Sequence, residues 1–326
     1  MIKNNFKSSV VNRKRLLFSA VVFSVLGLIL SCTKEEPRNT FPLSAEIFHS
    51  IQEKQLALTA LTHNAVSWQW DFGDGDTSAE KDPVHIYEEG GYYRVVLVAS
   101  DAMGNSVTKE VTVALDLTPY SMLTGDYTRD DYQGKTWKLS ADHGSGGDYF
   151  ANADADFSVV DGTPNPLPTG IFDLEFGMGD IYKDEFTFFY DGGYTHDVKD
   201  DSGAFGGIVY QYALNGGTGI INANGAEFGL CIAQYEPENN ATFTYSSKED
   251  ITVSSVYGAQ GALTFNDVST LDFSGNEYIG FRDFQRKVIV NKITNDKMQL
   301  IMFMAASQDY PGINTHALIL SFDAVQ

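Results

Sequence analysis

Four sets of residues in this 326-residue chain have types and spacing that suit chemistry. The first is Trp68 and Trp70 beside Asp71, Asp74 and Asp76 in "SWQWDFGDGDTS". Exposed indole faces stack sugar rings, and clustered carboxylates hold cations. The second is Asn152, Asp154 and Asp156 in "ANADADF"; in an extended strand they share one face and would offer three oxygens to a structural Ca²⁺. The third is Asp173, Glu175 and Asp180 in "FDLEFGMGD", carboxylates of the kind a glycosidase sets on either side of a scissile bond.

Aromatic residues flanked by Gly and Asp form a fourth set. They are Tyr149 and Phe150 after "HGSGGD", Tyr182 in "GMGDIYKDE", and Tyr194 with His196 in "YDGGYTHD". Together with Trp137 in "KTWKL" they are candidate glycan-binding residues, because sugars are held by ring stacking supplemented by polar contacts. In a strand, Thr136 and Lys138 face opposite to Trp137, which points that ring towards a core.

The elements that carry these residues narrow the choice. Along an extended segment Val66, Trp68, Trp70 and Phe72 share one face, and Ser67, Gln69 and Asp71 the other. That is a half-buried strand with both tryptophans in the core. The glycines after it permit a tight turn whose amides the aspartates cap. An EF-hand loop would end in Glu at its twelfth position, but Asp82 or His85 stands there, counting from Asp71 or Asp74. The segment therefore reads as scaffolding. Read as a strand, "FDLEF" pairs only Asp173 and Glu175 on one face, with Phe172 and Leu174 between them on the other, so the Glu, Asp and Glu pattern of β-sandwich glucanases, which the segment superficially resembles, is absent. There is no Gly-x-Ser-x-Gly elbow, His-Glu-x-x-His helix or phosphate loop, and the histidines are scattered. The chain reads as a non-enzyme.

The first 32 residues stand apart. Lys3, Lys7, Arg13, Lys14 and Arg15 precede an apolar run from Leu16 to Leu30, then Ser31 and Cys32. The run is too short for a typical membrane span and has the layout of a secretory leader. "LILSC" resembles a bacterial lipobox, which implies a signal peptide over residues 1–31, lipid on Cys32 and a tether over 32–40. "TKEEP" resembles the export signal of Bacteroidota surface lipoproteins, which implies an outer-membrane protein facing the cell exterior. Cys231 is then alone, so no internal disulfide forms, and its apolar setting in "FGLCIAQY" is that of a buried, inert thiol. The net charge is −21, and without the five leader cations 17 basic residues face 43 acidic ones, a net −26. Such a surface repels nucleic acid and anionic membranes and suits a neutral glycan.

Residues 41–116 carry short strand-like runs in under 80 residues, the pattern of a β-sandwich. "DLTPY" follows as a linker. Residues 117–326 stay β in pattern, with candidate strands "KTWKL", "GIFDLEF", "DEFTFFY", "GIVYQYAL", "FGLCIAQY", "ATFTY", "DITVSSV", "ALTFN", "KVIVNKI", "MQLIMFM" and "HALILSF" between Gly-, Asp- and Asn-rich turns. The expected fold class is all-β, with a larger jelly-roll-type β-sandwich after the first and a lipocalin-like barrel as the alternative.

The first unit closely resembles the PKD domain, an immunoglobulin-like module. Its motif is matched by Trp70, Asp71, Phe72, Gly73, Asp74, Gly75, Ser78, Pro83, His85, Tyr87, Gly91, Tyr93 and Val95. That resemblance implies a rigid spacer or adhesion module. The second unit resembles a module that follows PKD domains in Bacteroidota lipoproteins of polysaccharide-utilisation systems, on "GKTWKLSADHGSGGDYF", "KDEFTFFYDGGYTHDVKDDSG" and the last strands. It implies glycan capture beside a TonB-dependent transporter and its lid lipoprotein, with no cofactor beyond the structural calcium above. A neutral β-glucan such as laminarin is the preferred ligand. A β-sandwich glycoside hydrolase and a non-glycan adhesin are the other readings.

Overall fold

The computed structural model describes residues 41–157 and 166–325. The leader, Cys32 and the tether lie outside the described residues. Residues 44–115 contain β1 (Ser44–Gln52), β2 (Gln55–His63), β3 (Ser67–Asp71), β4 (Thr77–Ser78), β5 (Val84–Ile86), β6 (Gly91–Ser100) and β7 (Ser106–Leu115). They make two facing sheets, β1-β2-β5 and β4-β3-β6-β7. Trp70, Phe72, Tyr87, Leu97 and Leu115 fill the space between them.

The alternation read along β3 holds from Trp68 to Phe72. Trp70 is buried and donates its indole N–H to the Glu80 carbonyl at 3.0 Å. Trp68 is half-buried against the same core, and Val66, which precedes the strand, is exposed. The turn is held as its composition requires: Asp71 Oδ1 accepts the Gly73 N–H at 2.9 Å, and Asp74 Oδ1 accepts the Asp76 N–H at 3.0 Å. His85 stacks on Phe72 at 4.2 Å and bonds Asp74 Oδ2 through Nε2 at 2.6 Å. Burial pushes the Asp74 carboxyl up, but the bonds from His85 and the Asp76 N–H outweigh it and leave it below the usual range. Gly73 has φ +83°, and a Cβ there would meet the Arg94 carbonyl oxygen at 2.7 Å. Gly73→Ala should therefore lower the urea-unfolding free energy by about 1–3 kcal/mol.

The expected linker is the N-terminus of a helix, α1 (Pro119–Thr124), capped by Thr118 with Pro119 in its first turn. Just beyond it, Asp130 meets Arg94 at 2.9 Å while Arg94 also grips Glu110.

The second unit is built on β8 (Lys135–Leu139), β9 (Tyr149–Asn152), β10 (Glu185–Phe188), β11 (Tyr194–Asp197), β12 (Gly203–Gly207), β13 (Ile220–Asn222), β14 (Leu230–Gln234), β15 (Phe243–Ser254), β16 (Ala262–Phe273), β17 (Val288–Ile293), β18 (Lys297–Met304) and β19 (His316–Ala324). A nine-stranded sheet runs β11-β10-β8-β19-β18-β17-β16-β15, with β9 also pairing β19; a small sheet runs β12-β14-β13. Three further helices are α2 (His143–Gly146), α3 (Ile171–Phe176) and α4 (Ile208–Asn215).

The apolar runs of β18 and β19 are explained by burial on both faces. Met298, Leu300, Met302, Leu318 and Leu320 belong to a core shared with Phe172, Phe205, Leu230 and Ile232 of α3 and the small sheet. Ile301, Phe303, Ala317 and Ile319 point the other way, into a second cluster with Ala153 and Phe157. The fold is all-β, as expected, with a PKD-type sandwich followed by a larger one.

Two expected strands are corrected. "GIFDLEF" is α3, bounded by Gly170 and Gly177 in the left-handed region, with Phe172 its one fully buried side chain. Six residues between two helix-breaking glycines are too short for a 3.6-residue period to show. "GIVYQYAL" is the helix α4, stopped at Gly216, whose N–H donates to the Tyr212 carbonyl while the Gly217 N–H donates to that of Gln211. The strand before it is "GAFGG", whose Gly206 sits against a neighbouring backbone: a Cβ there would meet the Arg282 carbonyl oxygen at 2.8 Å.

Candidate functional site

The glycan-binding candidates separate on burial. Trp137 is fully buried on β8 and donates Nε1–H to the Leu123 carbonyl at 3.0 Å, so it belongs to the core. Tyr194 and His196 are not loop residues. They alternate inward on β11, 1% and 6% exposed, with the Tyr194 hydroxyl bonded to the Tyr278 carbonyl at 2.6 Å. The Gly-Gly pair before them makes the turn that begins the strand, which is why a glycine flank misleads there. Burial pushes the His196 imidazole down, against the pull of Glu277, whose Oε2 lies 3.5 Å from Nδ1. Tyr149 and Phe150 are half-buried on β9, the first against the outer cluster and the second against the inner core.

Tyr182 is half-buried and tied to a network of polar groups. Its hydroxyl meets His143 Nε2 at 2.8 Å, and His143 Nδ1 meets Asp148 Oδ2 at 2.8 Å. Asp148 Oδ1 accepts the Ser321 hydroxyl at 2.6 Å, and Oδ2 accepts the Ser321 N–H at 3.0 Å. Burial pushes the Tyr182 phenol up to about 12. The set resembles a relay, but His143 and Asp148 are fully buried, so no polymer reaches them. It braces α2 and its loop against β19.

The calcium reading also needs correction. β9 ends at Asn152, and Asp154 and Asp156 lie in the turn beyond it, so the three do not line one strand face. Asp173 and Glu175 are exposed on α3, where residues two apart do not face each other. Asp74, Asp76 and His85 bring one donor atom each within 4.8 Å. Two of those residues already bond each other, through His85 Nε2 and Asp74 Oδ2. Cys231 is buried, and burial pushes its thiol up to about 12, as expected of an inert core cysteine.

A better stacking surface lies elsewhere on the second unit. Tyr212 on α4, Tyr310 in the 305–315 loop, Tyr257 in the β15–β16 turn and Phe284 are 53%, 59%, 44% and 37% exposed. Val209, Tyr212 and Ala213 of α4 face Gln308 and Pro311 of the loop across a cleft of about 410 Å³. Tyr210 meets Phe284 edge-on at 5.1 Å. The loop runs beside the β15–β16 turn, where Ser254 Oγ donates to the Gly312 carbonyl at 2.8 Å and the Val256 N–H to the Asn314 carbonyl at 3.2 Å. Exposed rings thus stand on four neighbouring segments, the rim of the second unit, and Gln308 lines the cleft with Tyr212. Such a surface can stack flat apolar faces and hydrogen-bond the hydroxyls between them. None of these rings was among the sequence candidates. "QDYPG" and "VYGAQG" do carry the tyrosine-beside-glycine pattern applied earlier in the chain.

Comparison with known proteins bears mainly on the first unit. The family model for the PKD domain matches residues 50–115, so this unit is a PKD domain. A collagenase, ColQ1 of Bacillus cereus (strain Q1), is 50% identical over 50 residues, 15% of this chain and 5% of that protein. The pre-pro-metalloprotease PrtV of Vibrio cholerae is 43% identical over 53 residues, 16% of this chain and 6% of that protein. The chain therefore spans only about one-twentieth of the length of these relatives. Among solved structures, the PKD1 domain of Vibrio cholerae PrtV is 30% identical and covers 23% of this chain and 98% of its own, with a TM-score of 0.23. A structure of carbohydrate-binding modules from the beta-sandwich superfamily is 12% identical over 88% of this chain and 94% of its own, with a TM-score of 0.26.

Proposed function

With a PKD domain established at residues 50–115, we propose that this chain is a cell-surface glycan-binding protein whose second unit holds polysaccharide without cleaving it. The observation that carries the reading is the α4 cleft lined by Tyr212, with exposed Tyr257, Phe284 and Tyr310 on the adjoining segments. Several stacking contacts, each weak, retain a long polymer while letting it pass on. The acidic surface favours a neutral chain, and a β-glucan such as laminarin is the preferred class. Lipid on Cys32 would hold the protein on the outer membrane facing outward, with the PKD domain as spacer, beside a TonB-dependent transporter that takes up the captured polymer. No residue set here is assigned to catalysis, and no cofactor is invoked.

The test is affinity electrophoresis of the full chain on laminarin, mannan, xylan and starch, with product analysis of the same mixtures. Tyr212→Ala and Tyr310→Ala should each weaken retardation by about tenfold or more, about 1.4 kcal/mol. Released oligosaccharides would make the protein a hydrolase, and no retardation on any polymer would favour an adhesin.

A further inference from the structure

Beneath the rim lies a carboxylate with no part in the reading above. Asp283 is fully buried. Its Oδ1 accepts the Phe284 N–H at 2.6 Å, and its Oδ2 accepts the Ala305 N–H at 3.2 Å. Gly207, the N-cap of α4, approaches so closely that a Cβ there would lie 2.4 Å from Oδ2. One side chain thus touches the start of the helix bearing Tyr210 and Tyr212, the backbone of Phe284, and the head of the loop bearing Gln308 and Tyr310.

We infer that Asp283 is the positioning residue of the rim: its carboxylate sets the spacing of the three ring-bearing segments, and thereby the affinity for a stacked glycan. This rests on the rim being the glycan site. Both oxygens are needed: Oδ2 makes the bond that reaches the 305–315 loop, and Oδ1, on the N–H of the adjacent Phe284, fixes the orientation of the carboxylate that makes it. A protonated acid keeps one full acceptor, so one N–H bond weakens.

The surroundings make that protonation accessible near neutrality. Burial pushes the Asp283 carboxyl up to about 7, against the pull of the Phe284 and Ala305 N–H groups. The Cys231 thiol on β14 is the titratable group beside it, and that thiol is itself raised by burial and by Asp283. Arg282 turns away, its guanidinium 4.6 Å from the Tyr235 ring and 5.4 Å from Tyr210. From α4 and the loop, Gly207 and Ala305 present only backbone.

Two effects then run in opposite directions. The folded-state value lies above the ordinary 3.8, so the associated stability is fully present below that ordinary value and is lost as pH rises through about 7. The grip on the two amides instead strengthens as pH rises, because the ionised carboxylate accepts both bonds. Rim affinity should therefore rise across a range in which global stability falls, which a purely structural role would not produce.

The experiment compares the full chain with Asp283→Asn at pH 6 to 8, measuring laminarin affinity and hydrogen exchange of residues 305–313. An Asn offers one carbonyl oxygen and turns an NH₂ towards the other donor. Wild type should bind laminarin about tenfold more weakly at pH 6 than at pH 8, with protection of the loop falling in step. Asp283→Asn should bind weakly and exchange fast at both pH values. If that variant unfolds, Gly207→Ala, whose methyl displaces Oδ2, should show the same flat profile. A variant that keeps the wild-type pH profile, while Tyr212→Ala loses binding, overturns the inference and leaves the rim reading standing. Exchange that follows Asp283 while Tyr212→Ala and Tyr310→Ala bind normally overturns both, as does an absence of binding to laminarin, mannan, xylan and starch at every pH.

Discussion

Asp148→Ala is expected to lower the stability of the second unit by about 3–5 kcal/mol, a large part of the total stability of an ordinary domain. The carboxylate is fully buried and accepts the Ser321 hydroxyl, the Ser321 N–H and the His143 imidazole. Gln299 Nε2 also approaches it at 3.4 Å and bonds the Gly146 carbonyl at 2.9 Å. Truncation to Ala would strand these donors in a space that water reaches poorly, and each stranded group costs about 1–3 kcal/mol. Asp148→Asn, which keeps the volume but turns one acceptor into a donor, should cost less. Urea titration followed by far-UV circular dichroism gives both numbers. Equal midpoints for wild type and Asp148→Ala would mean that the network does not brace β19.

Trp137→Ala should cost a similar amount, about 3–5 kcal/mol, without altering glycan affinity per folded molecule. The indole is fully buried opposite Phe186 in the β8–β10 register, and its N–H is satisfied by the Leu123 carbonyl. Lys135 Nζ lies 4.7 Å from the ring centroid and also donates to the Met122 carbonyl at 2.7 Å. Burial pushes that ammonium down to about 8, so removing the indole also takes away a face that helps hold the charge there. Dichroism is again the right probe, because Trp137 is the second unit's own tryptophan. Loss of laminarin retardation at full folded yield would return Trp137 to the binding site.

What the sequence disclosed follows from where local pattern and tertiary packing agree. β18 and β19 were legible because strands covered on both faces need long apolar runs, as in "MQLIMFM" and "HALILSF", and β17 opens the same way with Val288, Ile289 and Val290. The PKD turn was legible because Gly73, Asp71 and Asp74 meet a local backbone demand. α3 and α4 were not, because short helices rich in Phe, Ile, Val and Tyr carry the composition of strands and differ only in the glycines that end them. Tyr212 is hidden for the same reason: within "GIVYQYAL" it reads as a strand residue and not as a helix-borne ring. Tyr194 shows the converse error, since a Gly-Asp flank marks a turn and does not say whether the next ring points out or in.

Both faces of the nine-stranded sheet are occupied over its central strands, by the small sheet and α3 on one side and by the Ala153–Phe157 turn on the other. The rings proposed to meet glycan are therefore held by α4, the 305–315 loop and a hairpin turn at the border of that sheet. Selection can exchange such border segments independently of the buried lattice. Relatives of this unit should therefore keep the central strands while diverging in the length and aromatic content of these three segments, so that preference for one polymer over another drifts faster than the architecture that displays it.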